Sequence, residues 1–497
     1  MLKLICRSIL LPALVCLSTL PVRAAFDFNA NCLKAYRSVF DLKLANARAY
    51  LNTERKLRPG NDMIPLLENY IDYFDLLSSD SKKDFDVLKG NKSRRLDRLE
   101  DADSSSPYYL FAQAEINLQW ALIRGRFGEY FNAAMEIRKA NALLRENKKK
   151  FPDFPLNNKG LGLIDAVLGS MPDGTLKSAL SVVGIKGNTR RGIDMMERLA
   201  STVSKTPYEA FYEETAFYYT YVLADVVRDP AAYAKTIKYT AQIADSSLLR
   251  AYLQAYVAIK TGHSDKAITF LKERPRGGAY EPFPYLDYLE GVALLNKLDL
   301  SAENAFERFL TTNKGVNYIK DANLRLGWIA LIRNQPKVYS GFAGKAKSQG
   351  FTYIDKDKQA QNEAGGPTPD RVLLQARLLS DGGFTNRAAQ LLQQKSAADF
   401  GTSKDRTEFA YRLGRIAEDT GKDQAAIEHY RTALQTGRNL PAYFAANAAL
   451  RLGKIFENAG DKQKAKEAYE SCIALKNHEY ESSIEGEAKS GLKRLVR

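Results

Sequence analysis

The chain has 497 residues, 45% of them hydrophobic, with 73 basic and 58 acidic side chains and a formal net charge of +15. Only 17 prolines and no useful run of alternating apolar and polar residues argue against a large β-sheet. The basic excess is spread along the chain, whereas nucleic-acid-binding proteins usually concentrate it on one face, so no nucleic-acid partner is expected. A diffuse charge suits a solvated surface or peripheral contact with anionic membrane and envelope surfaces.

Residues 1–24 have the pattern of a secretory signal peptide. Lys3 and Arg7 supply a positive start, residues 9–20 form a short apolar stretch, and Ala24 offers a small residue at the cleavage site. A membrane anchor is the less favoured alternative, because the apolar stretch is too short to span a bilayer comfortably. No later segment is long and apolar enough to predict a transmembrane span. We therefore expect export across the inner membrane to the periplasm or cell envelope.

Residues 25–106 are predicted to contain N-terminal helices followed by a charged connection. Apolar residues recur at helical spacing over Cys32–Leu57 and Asn61–Leu77. Ser78–Ser106 is crowded with charged residues and serine. Apart from a helical turn at Arg94–Glu100, this stretch is predicted to be exposed.

Residues 107–364 are predicted to form a second helical region. Tyr108–Arg124 has apolar residues on most sides, which predicts a buried helix, with Phe131–Asn147 as its partner. A loop is expected at Phe151–Lys159, followed by glycine-punctuated helical pieces up to residue 199. Pro207–Val227 is a very aromatic helix, and such a helix is more often packed core than a cofactor site.

Glu115 lies in the middle of a nearly apolar helix and is therefore expected to be buried. A buried carboxylate costs free energy unless it is paired. Two interpretations follow: a polar tie to an arginine or helix terminus in a neighbouring layer, which we favour, or a general acid or ligand contact. Glu213 and Glu214, at the start of the aromatic helix, are predicted to interact with the helix dipole.

No residue pattern predicts a cofactor or a metal ion. His263, His429 and His478 are far apart and share no metal-ligand spacing. The glycine-rich segment 184–192 lacks the Gly-Lys-Ser/Thr ending of a phosphate loop. Residues 355–366 lack the ligands of a calcium loop. We therefore predict no cofactor and no enzymatic activity.

Residues 371–497 contain a repeated pattern. Each copy has a Leu-Gly pair, a second glycine, an alanine and a tyrosine at fixed spacing. These positions are Gly414, Gly421, Ala426 and Tyr430 in the first copy, and Gly453, Gly460, Ala465 and Tyr469 in the second. The order resembles that of the tetratricopeptide repeat (TPR), a helix–turn–helix unit of about 34 residues.

Each repeat position has a mechanical reason. The first glycine lets two helices approach closely, the second ends the first helix in a left-handed conformation, and the tyrosine is expected to fill the wedge between repeats. Fainter copies surround Gly262, Gly291 and Gly383. Residues 361–370, which are rich in glycine and proline, are the predicted boundary before the clear repeats.

The pattern predicts an all-α, TPR-like helical-hairpin solenoid with a right-handed superhelical course. Such stacks bind partners, so we expect a non-enzymatic scaffold whose concave face binds a protein or peptide in the envelope. A carrier of lipid or another hydrophobic ligand, with a cavity beside the aromatic helix and residues 160–184, is the first alternative. An enzyme with an unfamiliar site that uses Glu115 is the second.

Several short motifs carry a resemblance to known proteins. They include Ala114–Ala121, Arg126–Phe131, Phe151–Phe154, Gly169–Asp173 and Tyr353–Ala360. Together they resemble a family of secreted TPR proteins from Bacteroidetes, and more loosely the eukaryotic tetratricopeptide repeat protein 39 and yeast inclusion-body-clearance family. The resemblance implies an all-helical repeat protein without established enzymatic residues.

Two cysteines, Cys32 and Cys472, follow the predicted signal peptide. A disulfide between them would be permitted outside the cytoplasm. However, Cys472 occupies a repeat position that usually takes a small buried residue. A free thiol in the core is therefore the favoured prediction.

Overall fold

The computed structural model describes residues 26–170 and 186–496. The predicted signal peptide and the start of the glycine-rich segment 184–192 lie outside these ranges. Within them every regular element is a helix, and no strand occurs. The prediction of an all-α fold is confirmed. No helix in the same ranges is long and apolar enough to cross a membrane.

The α-helices have the following bounds. The first ten are α1 (Ala30–Phe40), α2 (Leu44–Leu57), α3 (Met63–Ser79), α4 (Lys82–Leu88), α5 (Asn91–Glu100), α6 (Tyr108–Arg126), α7 (Tyr130–Lys150), α8 (Asn157–Ser170), α9 (Thr189–Thr202) and α10 (Tyr212–Tyr221). The next eight are α11 (Ala232–Thr240), α12 (Leu248–Lys260), α13 (Ser264–Lys272), α14 (Tyr285–Asn296), α15 (Ala302–Thr312), α16 (Ile319–Ile332), α17 (Pro336–Ser348) and α18 (Asp355–Gly365). The last seven are α19 (Arg371–Asp381), α20 (Thr385–Gln393), α21 (Ser403–Asp419), α22 (Asp423–Gly437), α23 (Phe444–Asn458), α24 (Lys462–Ala474) and α25 (Glu481–Leu495).

Ser78–Ser106 is largely helical, so the prediction of a mostly exposed connection was wrong, although the helical turn predicted at Arg94–Glu100 lies within α5. This segment contains α4 and α5, which bury Phe85, Leu96 and Leu99 against the N-terminal core. The predicted helix over Cys32–Leu57 is also divided, because Leu42 adopts a left-handed backbone (φ 57°) between α1 and α2.

The middle of the chain follows the predicted helices with two differences. Lys159, which was assigned to a loop, lies inside α8 and is completely buried. The aromatic stretch forms α10 and then continues as a π-helix over Val222–Val227, which ends at left-handed Arg228. The aromatic side chains Phe217, Tyr218 and Tyr219 are buried, as expected of packed core.

Helical hairpins follow one another from α12 onward. The pairs are α12/α13, α14/α15, α16/α17, α19/α20, α21/α22 and α23/α24, and α25 packs on the last pair. In the two clear repeats, an added Cβ at Gly414 would lie 2.6 Å from Tyr430, and one at Gly453 would lie 2.4 Å from Tyr469. The tyrosines thus fill the gap inside their own hairpin rather than only the wedge between repeats.

The remaining repeat positions lie as follows. Gly421 (φ 70°) and Gly460 (φ 78°) are left-handed and end the first helices. Ala426 and Ala465 are completely buried where the two helices of a pair meet. Cys32 and Cys472 are both free and buried, and they belong to different hydrophobic clusters.

The first helices of the hairpins form the inner layer of the stack. Helices α12, α14, α19, α21, α23 and α25 each pack on the next. Across the described residues, by contrast, successive second helices make at most marginal contact with one another. A stack curves toward the layer whose members touch, so the first helices line the concave face.

Two turns that are distant in sequence meet at the edge of the stack. Gly262 (φ 71°) and Gly383 (φ 82°) lie in the turns of α12/α13 and α19/α20. A Cβ on Gly383 would lie only 1.8 Å from the carbonyl oxygen of Gly262, so no larger residue fits. The amide of Ser264 donates to the carbonyl of Gly382 at 3.2 Å.

Candidate protein-binding groove

Glu115 lies in a closed cluster of buried polar groups. Its Oε2 is 2.7 Å from the ammonium of Lys159, which also pairs with Glu214. The hydroxyl of Tyr70 lies 2.7 Å from Glu214 and 3.1 Å from Glu115, and the hydroxyl of Tyr36 donates to Glu214 at 2.7 Å. The partner is a lysine rather than the arginine or helix terminus that we expected.

This cluster connects five helices, α1, α3, α6, α8 and α10, through side chains that are essentially without solvent exposure. Burial, together with the charge of Glu214, raises the pKa of Glu115 to about 7. Glu214 therefore holds the cluster together and is not merely a partner of the helix dipole. The adjacent Glu213 accepts a hydrogen bond from Ser247 at 2.6 Å. Such a cluster can position helices, but a ligand cannot reach it without rearrangement.

Five tyrosines from four segments of the chain meet on the concave side, and we call them the tyrosine patch. They are Tyr221 at the end of α10, Tyr252 and Tyr256 on α12, Tyr285 at the start of α14 and Tyr318 before α16. Ring centroids are 5.5 Å apart for Tyr252 and Tyr256, 6.2 Å for Tyr252 and Tyr285, and 4.5 Å for Tyr285 and Tyr318. Tyr221 interacts electrostatically with Tyr318 and remains 38% exposed.

The tyrosine patch offers both ring faces and hydroxyl groups to a ligand. Burial raises the pKa of every member, to about 12 for Tyr221. The hydroxyls therefore stay protonated and can donate hydrogen bonds. Tyrosine is well suited to recognition, because it presents a large, rigid contact area that is apolar along the ring and polar at its end.

Four cations continue the concave face beyond the tyrosine patch, and we call them the cation row: Lys260, Lys356, Arg325 and Arg377. Three of them have a carboxylate partner, namely Asp225 for Lys260, Asp321 for Arg325 and Glu363 for Arg377. Lys356, at the start of α18, has no carboxylate within 4.0 Å anywhere in the described ranges. The row therefore carries one uncompensated positive charge.

Lys356 lies among the other members of the row. Its side chain is accessible to water, yet protein surrounds it on the concave side. This loss of solvation lowers the pKa of Lys356, and the nearby cations Arg325, Lys260 and Arg377 lower it further, against the opposing effect of Asp321. An anionic ligand group beside Lys356 would offset both the loss of solvation and the repulsion by the nearby cations.

Trp328 forms the floor of the cation row. Two guanidinium groups contact its ring: that of Arg325 lies 5.2 Å and that of Arg377 lies 5.0 Å from the ring centroid. These cation–π contacts hold the two arginines side by side. Two arginines of the C-terminal repeats, Arg412 and Arg451, extend the same face. Arg412 pairs with Glu408 at 2.6 Å.

The π-helix of residues 222–227 borders the tyrosine patch. It follows Tyr221 directly and carries Asp225, which accepts hydrogen bonds from Tyr256 at 2.6 Å and Lys260 at 2.7 Å. Single π-helical turns are rare and occur frequently at functional sites. The π-helix, the tyrosine patch and the cation row therefore all indicate a functional site at the same part of the concave face.

Only part of this candidate site could have been predicted from the amino-acid sequence. Tyr252, Tyr256 and Lys260 recur every fourth residue and so lie along one face of α12. That stripe could have been detected. Tyr221, Tyr318 and Lys356 come from segments that only the tertiary fold brings together. None of these residues was among our predicted site residues.

No metal site is present in the described part of the chain, where no three His, Cys, Asp or Glu side chains cluster suitably. Of the three histidines considered in the sequence analysis, His263 stacks on Tyr233 with ring centroids 4.1 Å apart. Burial lowers the pKa of His429.

Comparison with known proteins identifies the C-terminal hairpins. Residues 407–436 and 446–479 match the family model described as tetratricopeptide repeat. These segments correspond to α21/α22 and to α23/α24, so the predicted TPR units are confirmed there. No curated protein matches the chain. The resemblance to the Bacteroidetes and eukaryotic families therefore stays a prediction.

Among solved structures, the chain is similar to one in the crystal structure of the APC/C hetero-tetramer Cut9–Hcn1. The identity is 10%, and the match covers 94% of this chain and 96% of that chain, with a TM-score of 0.27. A TM-score this low does not show that the two chains follow the same overall course.

Proposed function

We propose that this protein is a non-enzymatic TPR scaffold of the cell envelope that binds a protein partner through its concave face. The observation that carries the proposal is that the tyrosine patch and the cation row adjoin, since Tyr256 of the patch and Lys260 of the row both donate to Asp225. Most of these residues lie on first helices of hairpins, where a stack of hairpins presents its inner surface. The signal-peptide pattern of residues 1–24 supports the envelope as the location.

The chemistry of the groove favours an extended segment that carries an acidic residue next to apolar or aromatic ones. The acidic group would pair with Lys356, the cation without an internal partner. The neighbouring apolar residues would pack on the rings of Tyr252 and Tyr285. Complementary charge gives specificity and speeds association more than it adds affinity.

The lipid-carrier alternative receives less support. It required a cavity between the aromatic helix and residues 160–184, of which 171–184 lie outside the described residues; on the described side, Phe217, Tyr218 and Tyr219 are buried. The closed cluster around Glu115 likewise offers no approach for a substrate, which weakens the enzyme alternative.

Site-specific photo-crosslinking in the native host tests the proposal. A photoreactive amino acid replaces Tyr221 in the groove or, as a control, Val338, which is 46% exposed on the second helix α17. We expect one dominant protein to be captured from position 221 and not from position 338. Equal capture from both positions would contradict a concave binding face.

A charge reversal tests the chemistry of the partner. Lys356→Glu should abolish the capture at position 221, because it places a carboxylate against an acidic ligand. Lys337→Glu makes the same change at an exposed position on α17 and should leave capture unchanged. If both variants capture the partner as well as the parent protein does, the cation row does not recognise it.

A further inference from the structure

A second candidate site lies away from the groove, between α2, α3 and α5. A cavity of about 260 Å³ opens there, with Leu51 and Ile71 as apolar lining and four arginines around them. Arg48 and Arg55 come from α2, and Arg94 and Arg95 are consecutive residues of α5. Four guanidinium groups thus surround one small cavity.

The cavity has more positive than negative charge. Arg48 pairs with Asp75 at 2.6 Å, Arg55 pairs with Glu68, and Arg95 pairs with Asp72 at 2.7 Å. The carboxylates that face the cavity, those of Glu68 and Asp72, are thus already neutralised. Arg94 donates only to the neutral side chain of Asn91, at 2.8 Å. One full positive charge is left for a ligand.

Arg95 supplies an independent indication of a ligand. Its side chain is only 5% exposed, and it donates to Asn69 at 3.1 Å. Its Nε has no hydrogen-bond partner among the described residues, because the nearest carboxylate oxygen, on Glu68, is 3.6 Å away. A buried donor without a partner costs free energy, so an acceptor atom brought within reach of this Nε would stabilise it.

We propose that this cavity binds a small phosphate-bearing ligand. A phosphate group has a double negative charge near neutral pH and several acceptor oxygens, whereas a carboxylate has only two. Arginine recognises such groups through paired N–H donors in a fixed plane. Arg94 supplies the uncompensated charge, Arg95 Nε the unused buried donor, and Leu51 and Ile71 the surface for the ligand's organic part.

The phosphate subsite can be tested with inorganic phosphate as the probe. Isothermal titration calorimetry of the full-length mature protein, with ionic strength held constant by sodium chloride, should show saturable one-to-one binding. Arg94→Gln should weaken this binding at least tenfold, because it removes the unpaired charge. Arg94 is exposed and has no carboxylate partner within 4.0 Å in the described ranges, so the variant should fold normally.

Arg190→Gln is the matched control. Arg190 is 84% exposed and, among the described residues, pairs only with Asp194 within its own helix, so this variant lowers the net charge equally on a different helix. It should bind phosphate like the parent protein. The proposal is overturned if phosphate shows no saturable binding, or if Arg94→Gln and Arg190→Gln weaken binding to the same extent. Neither result would bear on the concave groove, whose residues belong to other helices.

Discussion

Replacing Lys159 with methionine should destabilise the N-terminal region more than any other single substitution in the buried cluster. Methionine has nearly the shape of lysine without the charge. The substitution leaves the carboxylates of Glu115 and Glu214 facing each other without a cation, and both are essentially unexposed. Removal of one member of a buried ion pair typically costs about 3–5 kcal/mol, because the other charge stays buried.

The structure places the expected loss near the lower end of that range. Glu214 keeps hydrogen bonds from Tyr36 and Tyr70, both at 2.7 Å. Glu115 can take up a proton, since its pKa is raised to about 7. We therefore expect a loss of about 3 kcal/mol at neutral pH. Glu115→Gln should lose only about 1 kcal/mol, because Lys159 keeps Glu214 as its partner.

Tryptophan fluorescence during urea unfolding can measure these losses locally. The chain has two tryptophans, Trp120 on α6 and Trp328 on α16. In a Trp328→Phe background the signal comes from Trp120 alone, and α6 also carries Glu115. This local probe is needed because repeat proteins of this size do not always unfold in one step.

A second substitution distinguishes the charge effect from a packing effect. Adding Glu214→Gln to Lys159→Met removes the uncompensated carboxylate and should restore part of the lost stability. The reasoning is refuted if Lys159→Met loses less than about 1 kcal/mol. It is also refuted if Glu115→Gln proves as costly as Lys159→Met, since the lysine would then not be the essential member.

Two further changes test other parts of the structure. Burial raises the pKa of Glu213 from 4.5 to about 7, so its contribution to stability is fully present below pH 4.5 and is lost as pH rises through 7. The urea midpoint should therefore decline across this pH window, and Glu213→Gln should make the decline shallower. An unchanged slope in the variant would contradict the assignment to Glu213. Gly453→Ala places a Cβ 2.4 Å from Tyr469 and should lower stability by about 1–3 kcal/mol. Gly344→Ala on α17, with no atom within 4 Å of the new Cβ, should instead raise it by about 0.5–1 kcal/mol; thermal melting that shifts both variants in one direction would argue against these contacts.

The repeats could be predicted because local sequence carries their geometry. A glycine at the close approach and an aromatic ring that covers it leave a pattern of fixed spacing, as Gly453 and Tyr469 do. Helix α4 was missed, and α5 was predicted only as a turn at Arg94–Glu100, for the opposite reason. They bury only a few side chains, such as Phe85 and Leu99, among many charged ones. Their stability depends on packing against α3 and α6, which composition does not reveal.

The candidate sites could be predicted far less well than the fold. Glu115 was identifiable because a lone acid in an apolar helix is conspicuous. Its partner Lys159 was not, because a single lysine in a polar, glycine-containing stretch has no distinguishing neighbours. The uncompensated charges of Lys356 and Arg94 depend on which carboxylates the fold places beside other cations. That information exists only in three dimensions.

The contact between the turns at Gly262 and Gly383 has a consequence for how the chain folds. In a simple solenoid each repeat touches only its neighbours, so folding can begin anywhere and spread. Here a backbone contact joins turns that are more than a hundred residues apart in the sequence. Because such a contact requires a large loop to close first, it should slow folding. Once formed, it should make the hairpins between the two turns unfold as one cooperative block rather than fray one by one.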